Sequence, residues 1–191
     1  MGLTLVTGGA RSGKSKFAEK LVSHYLALNK EESVLYIATA VAFDEEMKER
    51  IRRHQAQRPA HWRTVEQYRG LSEVFKRSKE KVILLDCITL MISNLLFEAG
   101  LNEERPNLKE VELVEKAIVN EINEMLREIK KLKDREIILV TNELGMGLVP
   151  AYPLGRIFRD IAGRVNQRIA EVSDRVYFMI SGIPTLIKGG G

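Results

Sequence analysis

The stretch that most constrains the fold lies near the start of the chain, where an apolar run at 3–6 leads into glycines and then Lys-Ser. Gly8, Gly13, Lys14 and Ser15 fit the spacing G-x-x-x-x-G-K-[ST], and a helical apolar pattern follows. Glycines let the backbone bend tightly and aim several amides at one anion, and the helix start adds positive potential. A chance glycine turn is the alternative. The pattern predicts a phosphate-binding loop whose contacts are Gly8, Gly9, Ala10, Arg11, Ser12, Gly13, Lys14 and Ser15.

The rest of the chain alternates short apolar runs with longer helical patterns. Strands are predicted at 33–39, 82–86, 136–143 and 175–180, with a short extended segment ending at 66 and a short terminal strand near 186–187. Helices are predicted at 44–57, 88–99, 109–133 and about 154–172. This alternation indicates an α/β fold like that of P-loop nucleoside triphosphatases (NTPases), with three layers and a mostly parallel sheet. We expect one catalytic domain at 1–188, followed by a glycine tail at 189–191.

Composition excludes several function classes. Basic and acidic residues number 30 and 26, for a net charge of +4, and they are interspersed, which argues against a nucleic-acid binder but suits anionic small substrates. A single cysteine, Cys87, rules out an internal disulfide. No apolar run reaches the length of a membrane span, and the chain begins with a strand pattern instead of a signal peptide. We therefore expect a cytoplasmic protein.

Polar residues at the carboxyl ends of the strands are candidates for nucleotide and metal contacts, because ligands of open α/β sheets bind there. Asp86 ends an apolar strand, and with the Ser15 hydroxyl it is predicted to hold Mg²⁺. The segment Ala38, Thr39 and Ala40, at the end of the second predicted strand, is predicted to contact the nucleotide. For Thr39 a capping residue is the alternative. Glu143 has two interpretations, a catalytic or substrate-positioning acid and an anchor for the glycine-containing loop after it.

Two further residues carry chemistry of their own. His54 lies among Arg50, Arg52, Arg53 and Arg58, whose charges disfavour the imidazolium and leave a neutral, nucleophilic nitrogen near a place that attracts phosphate. An ordinary surface histidine is the alternative. Arg58 is also predicted to contact the nucleotide. The carboxylate of Glu66 can accept two hydrogen bonds from the N1–H and N2–H₂ edge of guanine, which adenine does not offer. An exposed turn acid is its alternative.

Five motifs together resemble one enzyme family. They lie at 8–15, 36–39, 58–64, 141–147 and 160–167 and read GGARSGKS, YIAT, RPAHWRT, TNELGMG and DIAGRVNQ. In this order they are similar to the bifunctional adenosylcobinamide kinase/adenosylcobinamide-phosphate guanylyltransferases of cobalamin biosynthesis, over nearly the whole chain.

The resemblance implies two reactions. A nucleoside triphosphate, ATP or GTP, phosphorylates the hydroxyl of adenosylcobinamide, and GTP then transfers GMP to that phosphate through a GMP–histidine intermediate. His54 matches the family nucleophile, and His61 is the alternative candidate for that role. Lys14 is the other predicted catalytic residue. The resemblance also places the nucleotide against the segments ending at Thr39, Glu66 and Asp86, with the corrinoid near a subunit boundary of a homo-oligomer, by resemblance a trimer.

Two other functions remain open from the residues alone. A small-molecule kinase with only the first activity would form no GMP–protein species. A nucleotide-dependent switch or assembly ATPase would hydrolyse nucleotide with a macromolecular partner and ignore corrinoids. Against the switch stands the absence of an N-K-x-D segment, the usual guanine-specifying sequence.

Overall fold

The computed structural model describes residues 2–30, 33–42, 45, 48–49, 51–52, 55 and 59–190. Its strands are β1 (Leu3–Gly8), β2 (Val34–Ala38), β3 (Arg63–Glu66), β4 (Val82–Asp86), β5 (Glu136–Val140), β6 (Arg175–Ile180) and β7 (Ile183–Lys188). Its helices are α1 (Lys14–Asn29), α2 (Leu71–Arg77), α3 (Ile88–Glu98), α4 (Leu108–Lys131) and α5 (Pro153–Val172). Within the predicted helix at 44–57, the described residues 45, 48–49, 51–52 and 55 are helical.

The strands form one seven-stranded sheet in the order β3-β2-β4-β5-β1-β6-β7. The first six strands in that order are parallel, and β7 pairs antiparallel with β6. Helices cover both faces, which is why the central strands are apolar on both sides. One face packs Val6, Tyr36, Leu84 and Ile138 against α1, while the other packs the alternate strand residues against α2–α5. The predicted three-layer α/β fold with a mostly parallel sheet is confirmed.

The register across the sheet aligns the strand ends. Glu66 pairs with Ala38, Ala38 with Asp86, Asp86 with Val140, and Val140 with Val6. These five residues therefore form one row across β3, β2, β4, β5 and β1. Four inter-strand steps give about 19 Å from Glu66 to Val6, which lies two residues before Gly8, the first residue of the loop. This span is on the scale of an extended nucleoside triphosphate.

Two elements differ from the sequence prediction. Helix α2 was not predicted, because seven residues are too few to show a helical period; its start follows Gly70 (φ 64°) and is fixed by Glu121, whose Oε1 accepts a bond of 2.9 Å from the Leu71 amide. Strand β5 ends at Val140, whereas 136–143 was predicted, so residues 141–143 leave the sheet and enter the site. No described helix is long and apolar enough to cross a membrane.

Candidate active site

The loop between β1 and α1 is held in shape by its glycines and by neighbouring backbone. Gly8 has φ 149°, and a Cβ there would lie 2.5 Å from the carbonyl oxygen of Met179, so only glycine fits. Gly13 has φ 92°, a conformation that a side chain would strain. The Ser12 amide donates to the Gly9 carbonyl at 3.3 Å, and the Ser12 carbonyl accepts from Gly182 at 3.0 Å. The loop is thus tied to the β6–β7 turn.

Polar groups converge inside this loop. Lys14 is 7% exposed, and its Nζ donates to the Gly9 carbonyl at 2.5 Å, so the side chain folds back over the loop. The first amides of α1 have no intrahelical acceptor and point toward the same space. The hydroxyl of Ser12 is buried without a hydrogen-bond partner among the described residues. Buried polar groups are normally paired, so these donors suit an anionic ligand.

Asp86 lies beside this loop at the end of β4. Its carboxylate is half-buried and accepts a 3.2 Å hydrogen bond from the Tyr36 hydroxyl. Burial raises the pKa of the adjacent Cys87 thiol to about 11; the charge of Asp86 acts in the same direction and that of Lys14 opposes it. Asp86 and Lys14 are therefore both close enough to act on one thiol. Asp86 ends β4 and Lys14 begins α1, and these two elements pack against each other.

Thr39 is a structural link in this arrangement. Its side chain is 1% exposed, and its hydroxyl donates to the Cys87 carbonyl at 2.7 Å and accepts from the Cys87 amide at 2.9 Å. The Thr39 carbonyl accepts from Asn94 of α3 at 2.7 Å. The hydroxyl is thus occupied in joining the ends of β2 and β4. Ala38 is buried as well. Of the three predicted nucleotide contacts at the end of β2, which are Ala38, Thr39 and Ala40, only Ala40 lines the cavity described next.

A second set of buried hydrogen bonds fixes the end of β5. Thr89 of α3 accepts from Asn142 at 2.8 Å and contacts the Cys87 sulfur at 3.2 Å. Asn166 of α5 donates to the Asn142 carbonyl at 3.0 Å and accepts from Thr141 at 2.7 Å. Together with the bonds of Thr39, these bonds hold the ends of β2, β4 and β5 beneath the site. Asn94 and Thr89 were missed from the sequence, because nothing local marks a polar residue on a buried helix as a partner of a distant strand end.

One cavity opens at the outer strands, and we call it the β3-side cavity. Its volume is about 520 Å³, and its walls include Ala40, Ile51, Glu66, Tyr68 and Glu98. Glu66 is exposed and accepts a 2.6 Å bond from the Gln55 side chain, while Glu98 pairs with Tyr68 and with Arg69. The walls therefore carry several hydrogen-bonding and charged groups beside a few small or apolar residues.

The motif at 58–64 contributes a packing anchor to this side. Trp62 is 7% exposed, and its ring stacks on that of Tyr36 with centroids 6.3 Å apart. Tyr36 in turn donates to Asp86, so the motif supports the end of β4. His61 is exposed. The predicted nucleophile His54 and the predicted contact Arg58 lie outside the described residues, as do Arg50 and Arg53.

A second cavity, the β6-side cavity, opens on the other side of the loop. Its volume is about 620 Å³, and the loop residues Gly9, Ala10 and Ser12 form one wall. Glu143 forms another; its amide donates to the Gly8 carbonyl at 2.9 Å, and its Oε1 accepts from the Gly145 amide at 2.6 Å. The remaining walls are mainly apolar side chains of the loop after β5, of α5 and of β6, among them Leu144, Met146, Leu148, Tyr152, Phe158 and Phe178.

Comparison with known proteins identifies close relatives. A family model described as CobU, cobinamide kinase / cobinamide phosphate guanyltransferase, matches residues 4–187. The bifunctional adenosylcobalamin biosynthesis protein CobU of Salmonella typhimurium (strain LT2) is 46% identical over 188 residues, covering 97% of this chain and 99% of the relative. Its counterpart from Escherichia coli (strain K12) is 44% identical with the same coverage. The bifunctional adenosylcobalamin biosynthesis protein CobP of Pseudomonas aeruginosa (strain PAO1) is 41% identical over 190 residues, covering 97% and 96%.

Proposed function

Since the chain belongs to the cobinamide kinase / cobinamide phosphate guanyltransferase family, we propose that it phosphorylates adenosylcobinamide and then transfers GMP from GTP to the product, at one nucleotide site. The resemblance drawn from the five motifs is confirmed by this membership and by relatives matched over nearly their full length.

The observation that carries the proposal is the row of strand ends between the loop and Glu66. Phosphates bound in the loop would meet Lys14 and the amides of Gly8–Ser15. A purine about 19 Å along the same edge would reach the β3-side cavity, where the exposed Glu66 carboxylate can pair with the guanine edge. We therefore assign the triphosphate to the loop and the guanine to the β3-side cavity.

Ser15 and Asp86 fit a magnesium ion by their chemistry. A hydroxyl and a half-buried carboxylate are hard oxygen donors, and Mg²⁺ is commonly bound through few protein ligands together with phosphates. The described residues contain no group of three or more histidine, cysteine or acidic side chains placed to bind a metal. When bound, Mg²⁺ would offset charge on the phosphate oxygens. Asp86 is held for this role by Tyr36.

We assign the guanylyl transfer to His54. Its neutral ring nitrogen attacks the α-phosphorus of GTP, a P–N bond forms, and the bond to the bridging oxygen breaks so that pyrophosphate leaves with the electron pair. A phosphate oxygen of adenosylcobinamide phosphate then attacks the same phosphorus and the P–N bond breaks. Two described neighbours of this histidine support the assignment, because Ile51 lines the β3-side cavity and Gln55 donates to Glu66.

The test is labelling with GTP carrying a radioactive α-phosphate. We expect acid-labile, base-stable label on the wild-type protein and at least a 1,000-fold loss in His54→Asn, with phosphorylation of adenosylcobinamide retained. His61→Asn is the matched control and should label normally. Label that survives in His54→Asn and disappears in His61→Asn would move the nucleophile to His61. A wild-type protein that phosphorylates cobinamide without acquiring label would be a kinase alone.

We also propose a homo-oligomer, by resemblance a trimer. The edge strand β7 supports association, because Ile183, Leu186 and Ile187 are exposed along it and its outer backbone groups have no strand beside them within the described chain. Light scattering on the purified protein would measure the mass, and a monomeric mass at micromolar concentration would contradict the proposal.

A further inference from the structure

We infer that the β6-side cavity receives cobinamide in the kinase step and that Glu143 accepts the proton of the hydroxyl being phosphorylated. The inference rests on the proposed function and adds to it the binding site of cobinamide, the phosphoryl acceptor. It stands on three features of this cavity, which are its shared wall with the phosphate loop, the placement of one carboxylate, and the apolar surface around its mouth.

The shared wall places an acceptor beside the terminal phosphate. Gly9, Ala10 and Ser12 belong both to the loop and to the cavity, so a molecule in the cavity touches the loop from the side away from the β3-side cavity. A nucleotide whose base lies toward β3 would present its γ-phosphate at the opposite end. An acceptor oxygen entering from the β6 side could therefore lie in line with the bond that breaks.

Glu143 is placed to act on that oxygen. Its amide is bonded to Gly8, which fixes the backbone at the edge of the loop, and its Oε1 is oriented by the Gly145 amide. A carboxylate within hydrogen-bond reach of the acceptor hydroxyl can serve as general base in phosphoryl transfer. In the step, the hydroxyl proton passes to Glu143 while the oxygen forms a bond to the γ-phosphorus. The bond from phosphorus to the β,γ-bridging oxygen breaks, and the nucleoside diphosphate leaves with the electron pair.

The remaining walls suit a large corrinoid ring. Met146 is 80% exposed, Leu148 96% and Tyr152 54%, so the apolar lining continues from the cavity out onto the loop after β5. Contiguous exposed apolar surface commonly marks a binding site. A cavity of about 620 Å³ holds the side chain of cobinamide that carries the reacting hydroxyl, together with the adjoining edge of the corrinoid ring. The rest of the ring lies over Leu148. Arg159 is also in the wall; its Nε donates to Asp160 at 3.3 Å, and its other N–H groups would face the polar amides at the ring margin.

The first test replaces Glu143 by glutamine, which can still accept from Gly145. We expect the kinase kcat to fall by about 100-fold to 10,000-fold, with the KM for cobinamide changed by less than about threefold and the acidic limb of the kinase pH profile removed. GMP labelling from GTP is measured in parallel, because it does not use the acceptor. A kinase kcat within threefold of wild type, or a labelling rate that falls as far as the kinase rate, would overturn the role of Glu143.

The second test changes the cavity wall without touching the proposed base. Leu148→Asp adds charge at an almost fully exposed position, so folding should be preserved, and we expect the KM for cobinamide to rise at least tenfold while the KM for the nucleotide stays constant. Leu113→Asp, on the exposed side of α4, is the matched control. Equal KM values for cobinamide in the two variants would overturn the acceptor site, and a raised nucleotide KM in Leu148→Asp alone would assign the cavity to the nucleotide.

Both tests require a wild-type protein that phosphorylates cobinamide. If the wild-type protein lacks that activity, the proposed function itself fails. If it is active and both variants behave like wild type, the proposed function stands and the acceptor site is wrong.

Discussion

The β3-side and β6-side cavities open on the same edge of one sheet and have similar volumes, about 520 and 620 Å³, yet their walls differ in chemistry. The β3-side cavity groups Glu66, Tyr68, Arg69 and Glu98, whereas the β6-side cavity is mainly apolar with Glu143 near the loop. A purine is distinguished by hydrogen bonds in the plane of its ring, and a corrinoid ring is held mainly by contact area. This contrast is the basis of our proposal that the guanine binds at one end of the site and the acceptor at the other.

The phosphate loop lies between the cavities and is fixed by the strand ends around it. Asn142 and Asn166 tie β5 to α3 and α5, and Thr39 ties β2 to β4. Because these bonds are buried, breaking one leaves a polar group unpaired at a cost of about 1–3 kcal/mol. The separation of the two cavities is thus set by the sheet.

The largest effect expected on both half-reactions together comes from Lys14, which lies in neither cavity wall. In Lys14→Ala we expect both kinase turnover and GMP labelling to fall by about 100-fold to 1,000-fold, because both draw on the same buried cation beside the phosphates. Lys16→Ala, two residues along α1 and exposed, is the control. Rates of both half-reactions on the same preparations measure the effect, and a normal kinase rate with lost labelling would show two separate phosphate sites.

A smaller effect, confined to the β3-side cavity, is expected for Glu66→Gln. The amide accepts fewer hydrogen bonds from the guanine edge, and hydrogen bonds to a charged group contribute about 1.5–3 kcal/mol, so GTP labelling should fall by about 10-fold to 100-fold. The kinase rate with ATP should be unchanged, since adenine does not offer the donors that Glu66 pairs with. Glu124→Gln on the exposed side of α4 is the control. Equal loss with ATP and GTP would show that Glu66 does not distinguish the bases.

The smallest effect is expected at the ion pair that anchors β3. Arg63 binds Glu80 through two hydrogen bonds of 2.5 and 3.1 Å, and this bonding lowers the pKa of Glu80 to about 2. A lowered pKa stabilises the folded state above the unfolded value near 4.5, and the stabilisation disappears as the pH falls through about 2. Because Arg63 is half-exposed, the contribution at pH 7 is about 1 kcal/mol.

Urea unfolding of wild type, Arg63→Met, Glu80→Gln and the double variant would measure this coupling. We expect about 1 kcal/mol at pH 7 and a progressive decrease between about pH 4.5 and pH 2. The KM for GTP should rise modestly in Arg63→Met while the KM for cobinamide does not change, since β3 borders only one cavity. A pH-independent coupling would contradict the assignment of the pKa of Glu80 to this pair.

The sequence alone determined the parts of the molecule that depend on local pattern. The glycine spacing before Lys14 and Ser15 specifies a loop whose geometry is set within a few residues, and apolar runs of strand length specify the layers of the sheet. Asp86 could be placed at the carboxyl edge because it directly follows an apolar run. The motifs were enough to identify the family, since each extends over adjacent residues.

The tertiary structure decided what depends on residues far apart in the chain. Only the packing shows that the Met179 carbonyl leaves no room for a side chain at Gly8. Likewise, only the packing shows that the Thr39 hydroxyl is hydrogen-bonded to the backbone of Cys87. Glu143 follows β5 in sequence, but its place between the loop and an apolar cavity follows from strand order and from the hydrogen bond to Gly8. The physical reason is that periodicity fixes which face a side chain is on, whereas its neighbours are fixed by register and crossover connections between distant segments.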